Sequence, residues 1–463
     1  MRVGRLLLPM ALLMPLGIAL VASCAASKPA GALPCTYFVS PSGSDANDGT
    51  SASKPFATLE KARSAARHKR SSAICLRAGL YRRTMPLELS SADDGESWRY
   101  NPPDGVNSAV LDGGGQTDII HIVGGSSITF DGIKMQNFRA IAIHTQGGRN
   151  FGVAPTSGNT VENCDIGFNT VTDWNSGAFF SEGSSPQTMI RNNYVHDLGS
   201  QGIAINTYFS PDDSVDGSVI ANNVVIRTVQ RKSDGGAIYV GMHGGSQDSH
   251  VVVTNNFVRD YGAPGVSAAV GIYFDDNASN AKAFGNIVGP PIEGSVGPGH
   301  FGAGAFEVHN GNRNEIYDNI VDLGDSGRVI AVLWFHGGEP IDFGMAGNTF
   351  TRNIVVSSYT GRQRNNFGGV TEDSFIQNLG PAANYLIARN IYHNYAGGVV
   401  NTAGTIAGDA APSFMDPELS GETHSVADGS PVLRSPINFP APARGWGPPG
   451  FTIPKADNAA TAH

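Results

Sequence analysis

The sequence predicts an all-β chain wound as a parallel β-helix. Three observations predict it: abundant glycine with little charge, a phrase that returns about every thirty residues, and a second phrase that follows it at near-constant distance. Glycine makes up 59 of 463 residues and only 15% are charged, against usual values of about 7% and about 25%. That balance excludes helical bundles, coiled coils and charged disordered tails. The net charge of −9, more negative once Arg2 and Arg5 leave with a leader, argues against nucleic acid as a partner.

From the N-terminus, residues 1–23 read as a secretory signal peptide: Arg2 and Arg5, then an apolar run from Leu6 to Ala22 interrupted by Pro9 and Pro15, with no acidic residue. The junction Leu20-Val21-Ala22-Ser23-Cys24 resembles a bacterial lipobox, which implies cleavage before Cys24 and its lipidation. Small residues from Ala25 to Leu33 make 24–34 a tether. The expectation is an exported lipoprotein, membrane-anchored on the periplasmic or cell-surface side and working as a monomer.

Cys35 and Cys75 open and occupy strand-like segments, so adjacent strands joined by a disulfide are expected, worth about 3–4 kcal/mol in the chain-entropy model. Cys164 is left as a buried thiol, and no Cys/His spacing resembles a zinc site. Phe56 to Arg70 carries Phe56, Leu59, Ala62 and Ala66 at helical spacing, which predicts a capping helix over the open N-terminal end of the coil stack. The Asp45–Gly49 run departs from the EF-hand pattern and reads as a turn.

The repeat then occupies the middle of the chain. VENCDI, IRNNYV, IANNVV, VTNNFV, AFGNIV, IYDNIV, TRNIVV and ARNIYH place Cys164, Asn193, Asn223, Asn256, Asn286, Asn319, Asn353 and Asn390 at one position, 29 to 37 residues apart. Each phrase is a turn leading into a short strand, and stacked Asn side chains are expected to bond one another from coil to coil. GAFFSE, GIAINT, GAIYVG, GIYFDD and GAFEVH supply a second strand per repeat. A single turn of this kind cannot bury its own apolar face and must stack on the next.

Four segments carry a resemblance to the right-handed parallel β-helix proteins of the pectate-lyase-like superfamily. They are YFVSPSGSDANDGTSASKPFATLEKA at the start, SDGGAIY and GIYFDDNASN in the centre, and APSFMDPELSG at the close. The likeness spans about residues 35–435 and implies a right-handed solenoid of a carbohydrate-active kind, followed by an irregular tail over 436–463. The superfamily includes hydrolases, lyases, epimerases and adhesins.

Aligned by their glycines, the second phrases place Glu182, Thr207, Gly241, Asp276 and His309 in one column, and Phe180, Ile205, Tyr239, Phe274 and Glu307 in another. With Ile238, Val240, Phe306 and Val308 facing the core, both columns face outward. Coils stacked at about 4.8 Å then bring Asp276 and Glu307 into the roughly 5–9 Å range of glycosidase acid pairs. The expected glycoside hydrolase uses Asp276 as nucleophile or base and Glu307 as acid. Asp234 and Asp275 tune them, and Asp275 points inward by parity. Tyr239, Phe274 and Trp334 offer faces to sugar rings, while Glu182, His309 and His336 meet hydroxyls. This chemistry needs no cofactor or metal, and the expected partner is a polysaccharide.

Two alternatives stand beside it. Asp234, Asp275 and Asp276 holding Ca²⁺ would make a uronate lyase or epimerase with Lys232, Arg231 or Arg259 near the reacting carbon, and a noncatalytic glycan-binding surface protein is the other.

Overall fold

Strands recur in threes along most of the chain, and through the central coils each pairs in parallel with the strand three places on. The result is three long sheets of 12, 10 and 12 strands that form the walls of a solenoid. The computed structural model describes residues 34–455, leaving out chiefly 244–247, 293–303, 325–330, 337–345, 358–362, 365–369, 372–375, 379–384, 398–408 and 441–444. The leader, Cys24 and all but the last residue of the tether lie outside the described residues. Among those described, no helix is long and apolar enough to cross a membrane.

One coil shows how the repeat produces the wall. Met189–Arg191 lies in the first sheet, Tyr194–His196 in the third and Gln201–Tyr208 in the ten-stranded second. Between the first two, Asn192 turns the chain with φ of 56°, a left-handed conformation that Asn tolerates. Asn193 then enters the wall interior. Its Nδ2 donates to Asn223 Oδ1 at 3.0 Å, and its backbone N–H donates to the same oxygen at 3.0 Å. The pattern continues through Asn256, Asn286, Asn319, Asn353 and Asn390, starts from the Cys164 backbone N–H and ends on Asp409 Oδ2. The expected Asn ladder is therefore present. Cys164 sits at its first rung as a free, buried thiol.

Inside the walls, Ile, Val, Leu and Phe of successive coils form one continuous core, including Ile203, Ile238, Phe274 and Phe306. Cys35 and Cys75 are joined by the expected disulfide across 40 residues. The helix is shorter than Phe56 to Arg70: it spans Leu59–Ala66, because Thr58 caps it by accepting from the Lys61 N–H and Phe56 is already bridged to Val39. Leu59, Ala62 and Ala66 nonetheless join the core. Asp45 serves the local turn, accepting from the Ala57 and Thr58 backbone N–H groups.

A second apolar cluster covers the outside of the third sheet. Outward residues Val224, Ile226, Phe257, Ile287, Ile320 and Ile354 meet Ile437, Phe439 and Trp446 from the C-terminal segment. That segment is irregular in backbone but closely packed. It runs back along the solenoid as a strap: Arg389 donates to the Pro436 carbonyl, Trp446 lies 5.6 Å from Phe257, and Phe451 lies 4.6 Å from Tyr194. Arg259, considered above for lyase chemistry, is buried beneath this strap and donates to the Pro454 carbonyl. It lies on the third sheet and takes no part in the acidic cluster.

Candidate active site

The acidic residues converge on the outer face of the ten-stranded sheet, where Gly235–His243, Ala269–Asp275 and Gly304–His309 lie side by side. Register decides which side chains share that face. Ala204 pairs with Tyr239, Tyr239 with Tyr273, Tyr273 with Glu307, and Glu307 with Trp334. One position from Tyr273, Phe274 pairs with Val240 and Val308 and is wholly buried in the core. It offers no face to a sugar, and Tyr273 stands where Phe274 was expected.

The same one-residue slip reverses the expectation for Asp275. It pairs with Gly241 and shares the outer face with Tyr273 and Glu307 rather than pointing inward. The cause is that the repeated glycines are not in register: with Ile203 opposite Ile238 and Ile272 opposite Phe306, Gly202 lies beside Ala237 and Gly271 beside Ala305. A slip of one residue exchanges the two faces of a strand.

Asp275 is the most heavily bonded carboxylate of the group. Tyr239 donates its hydroxyl to Oδ2 at 2.7 Å, His309 Nδ1 donates to Oδ1 at 2.6 Å, and the Asp276 N–H donates to Oδ1 at 2.7 Å. Gly241 makes room for this: a Cβ there would lie 2.7 Å from Tyr239 Cε1 and 2.4 Å from Asn206 Oδ1. Asp276 begins the turn that follows, with φ of 44° and Asn277 at 72°. Its carboxyl stays partly open, 3.8 Å from His309 Nδ1.

The titrating groups divide into two kinds. Burial alone would lower the His309 pKa, but the bond to Asp275 and the charges of Asp275, Asp276 and Asp234 outweigh it and raise the value. Asp234 is exposed as a residue, yet the atoms crowded around its carboxyl, and then the charges of Asp275 and Asp276, push it up to about 6. Burial and the charges of Asp275 and Asp234 lift Glu307 well above the usual carboxylate range, while the Tyr273 hydroxyl offsets part of the rise. Glu307 is 2% exposed, and among the described residues its Oε2 has no hydrogen-bond partner. Tyr239 is likewise raised, so its hydroxyl remains a donor.

The remaining candidates divide by position. Glu182 lies three strands away along the face and bonds His144, Gln146 and Asn175. The backbone places Trp334 beside Glu307 and His336 beside His309, and the side chains of both lie outside the described residues. Lys232 rests its ammonium 3.4 Å from the centre of the exposed Trp174 ring, and Arg231 bonds the Asn169 carbonyl. Tyr273, Trp174, His121 and His144 were not singled out in the sequence. Alternation along Ala269–Asp275 puts Tyr273 on the same face as Asp275; nothing in the repeat marks the others.

Residues 118–321 match the family model of the right handed beta helix region. The chain is a right-handed parallel β-helix. Among curated proteins no sequence matches it. Among solved structures, the β-helix is similar to the PL6 family alginate lyase AlyGC, at 13% identity and a TM-score of 0.48 over 79% of this chain and 54% of that one. A variant of the same lyase gives 12% identity and 0.50 over 86% and 59%. The catalytic unit of the GH87 alpha-1,3-glucanase from Streptomyces thermodiastaticus gives 14% and 0.43 over 80% and 67%. The β-helix thus spans little more than half the length of the alginate lyase, and at these identities the likeness is one of fold.

Proposed function

We propose that this β-helix is a glycoside hydrolase that cleaves a polysaccharide with paired carboxyl groups. The observation that carries the reading is the gathering of carboxyls in unlike surroundings on three consecutive coils. Asp275 accepts from Tyr239, His309 and the Asp276 N–H, while the Asp234 carboxyl, close enough to feel the charges of Asp275 and Asp276, is pushed up to about 6. Environments that push carboxyl pKa values apart are what acid and base roles require.

In this scheme Asp234, open to solvent, donates a proton to the leaving glycosidic oxygen. Asp276, also partly open, takes the proton of the attacking water or attacks directly. Asp275 is a positioning residue whose charge raises Asp234 and whose bond to His309 fixes the imidazole beside Asp276. Glu307, at 2% exposure, is too enclosed for proton delivery into an open cleft, and its role is to hold the Tyr273 hydroxyl and keep the floor neutral. The leader and Cys24 would deliver the enzyme to the cell envelope as a lipoprotein, and the Leu59–Ala66 helix would close the N-terminal end of the stack.

The lyase reading has one observation in its favour: donor atoms of Asp275, Asp276 and His309 lie within 4.8 Å of one another. The set fits Ca²⁺ poorly. His309 Nδ1 already donates to Asp275 at 2.6 Å, so it presents a proton rather than a lone pair, and Ca²⁺ takes six to eight oxygens. The deciding assay offers neutral and uronate polysaccharides while following reducing ends and the ultraviolet absorbance of unsaturated uronates. Hydrolysis gives reducing ends without absorbance, and Asp234→Asn or Asp276→Asn lowers the rate by about 10²–10⁴-fold. Absorbance rising with reducing ends would overturn the proposal in favour of a lyase. Silence across the panel would leave glycan binding.

A further inference from the structure

The outer face of the ten-stranded sheet continues beyond the acidic cluster into a second built region that the scheme above does not use. Its centre is Trp174, 57% exposed. A single exposed aromatic is ordinary, but this ring is held in place. Its backbone N–H donates to Asp173 Oδ1 at 2.7 Å, Ser176 ties the same turn by donating to the Asp173 carbonyl, and Lys232 lies against the ring.

A row of polar side chains starts at the residue after Trp174. Asn175 Nδ2 donates to Glu182 Oε1 at 3.2 Å, and Glu182 Oε2 accepts from His144 at 3.0 Å and from Gln146 at 2.7 Å. The His144 ring is stacked on His121, with centroids 5.0 Å apart. Both His144 and Glu182 side chains keep an edge to solvent, at 17% and 11%. A carboxylate oxygen can accept more than one bond, so Glu182 retains acceptor capacity for a hydroxyl. On its other side, Lys232 acts electrostatically on Asp234, which joins this region to the acidic cluster.

We infer that Trp174, Asn175, Glu182 and His144 form a binding subsite for a neutral sugar unit of the polysaccharide chain. A pyranose has a C–H face that suits an indole and a rim of hydroxyls that suits a row of carboxylate, amide and imidazole groups. The neighbouring charges favour a class. Carboxylates outnumber the one ammonium: Asp173 in the turn, Glu182 in the row and Glu88 on His121 stand against Lys232 at the ring, and a uronate would bring its own negative charge to the carboxylate row. Three strand spacings separate Glu182 from Asp275 along the face, about 14 Å at the usual spacing, the reach of an oligosaccharide. The inference rests on the glycan-processing reading and adds to it a substrate that is neutral and several sugars long.

The test is titration calorimetry on the full chain carrying Asp276→Asn, so that binding is read without turnover. The probes are short and long members of the cello-, manno- and laminari-oligosaccharide series, with oligogalacturonates as the charged arm. The expected result is neutral-chain binding that strengthens with length. Trp174→Ala should weaken the long members by at least about tenfold, Trp174→Phe should restore part of the loss, and Glu182→Gln should weaken the same members. Phe168→Ala, at another exposed ring on a different sheet, should leave binding unchanged. Equal affinities with and without Trp174, binding confined to the oligogalacturonates, or no binding to any member would overturn the inference. A protein that binds in this way but shows no hydrolysis with Asp276 restored would sink the hydrolase reading and leave the subsite standing.

Discussion

Asp234 holds its proton because of its neighbours, and holding it has a thermodynamic consequence. Its carboxyl titrates near 6 in the fold against an ordinary 3.8, so between those values the native state binds more proton than the unfolded chain. Stability from this group is fully present below about 3.8 and is lost as pH rises toward about 6. Asp234→Asn is therefore expected to raise the melting temperature at neutral pH, with the gain vanishing in acid, even as it lowers turnover by the factor given above. Melting curves at the two pH values check the first part. In the intact enzyme, kcat should fall as pH rises through about 6, as Asp234 loses the proton it donates; a pH-rate profile flat across that range would remove Asp234 from the role. His309→Gln tests the residue that ties Asp275 to Asp276. It removes the imidazole from both carboxylates, and kcat should drop more than KM rises, because the contact serves orientation.

At the scale of the element, the Asn ladder and the strand register explain what the sequence reveals and what it hides. Asn193 to Asn390 are legible because each rung needs the same residue: the side chain must accept on its oxygen and donate both to a backbone carbonyl and to the next Oδ1, and a hydroxyl, with one proton, cannot make both donations. Asn256→Ala would strip Asn223 of its acceptor and the Ile220 carbonyl of a donor, at an expected cost of about 2–4 kcal/mol, measurable by denaturant unfolding with activity followed in parallel. The disulfide was legible for a similar reason, since two strand-like segments were placed to pair. Opening it with Cys35→Ser and Cys75→Ser should cost up to about 4 kcal/mol. The outer face was less legible. Glycines mark corners and tight packing, and these need not repeat at one register, so aligning on Gly202 and Gly271 moved Phe274 outward and Asp275 inward. Pairing Ile272 with Phe306 instead of glycine with glycine sets both right. Trp174 and the paired histidines belong to no repeat and become a group only when the coils are stacked.

Across the whole molecule, the strap is the feature that breaks the solenoid's one-dimensional logic. A repeat array is stabilised by nearest neighbours, but Ile437, Phe439, Trp446 and Phe451 touch coils from the one ending near Arg389 back to that of Tyr194. That is six strand spacings of the third sheet, about 29 Å. Ending the chain after Ser435 should uncover Val224, Phe257 and Ile287, raise binding of a hydrophobic dye and lower soluble yield; a truncated protein as soluble and dye-silent as the full chain would contradict this role. Synthesis runs in the other direction. The coils at Tyr194 and Phe257 emerge long before Trp446 and Phe451, which cover them, so their greasy outer wall stays bare until the strap arrives. Arrival of the strap is thus registered at coils made about two hundred residues earlier. A chain released before it keeps a sticky flank that chaperones and proteases can recognise, and one that carries it hides that flank.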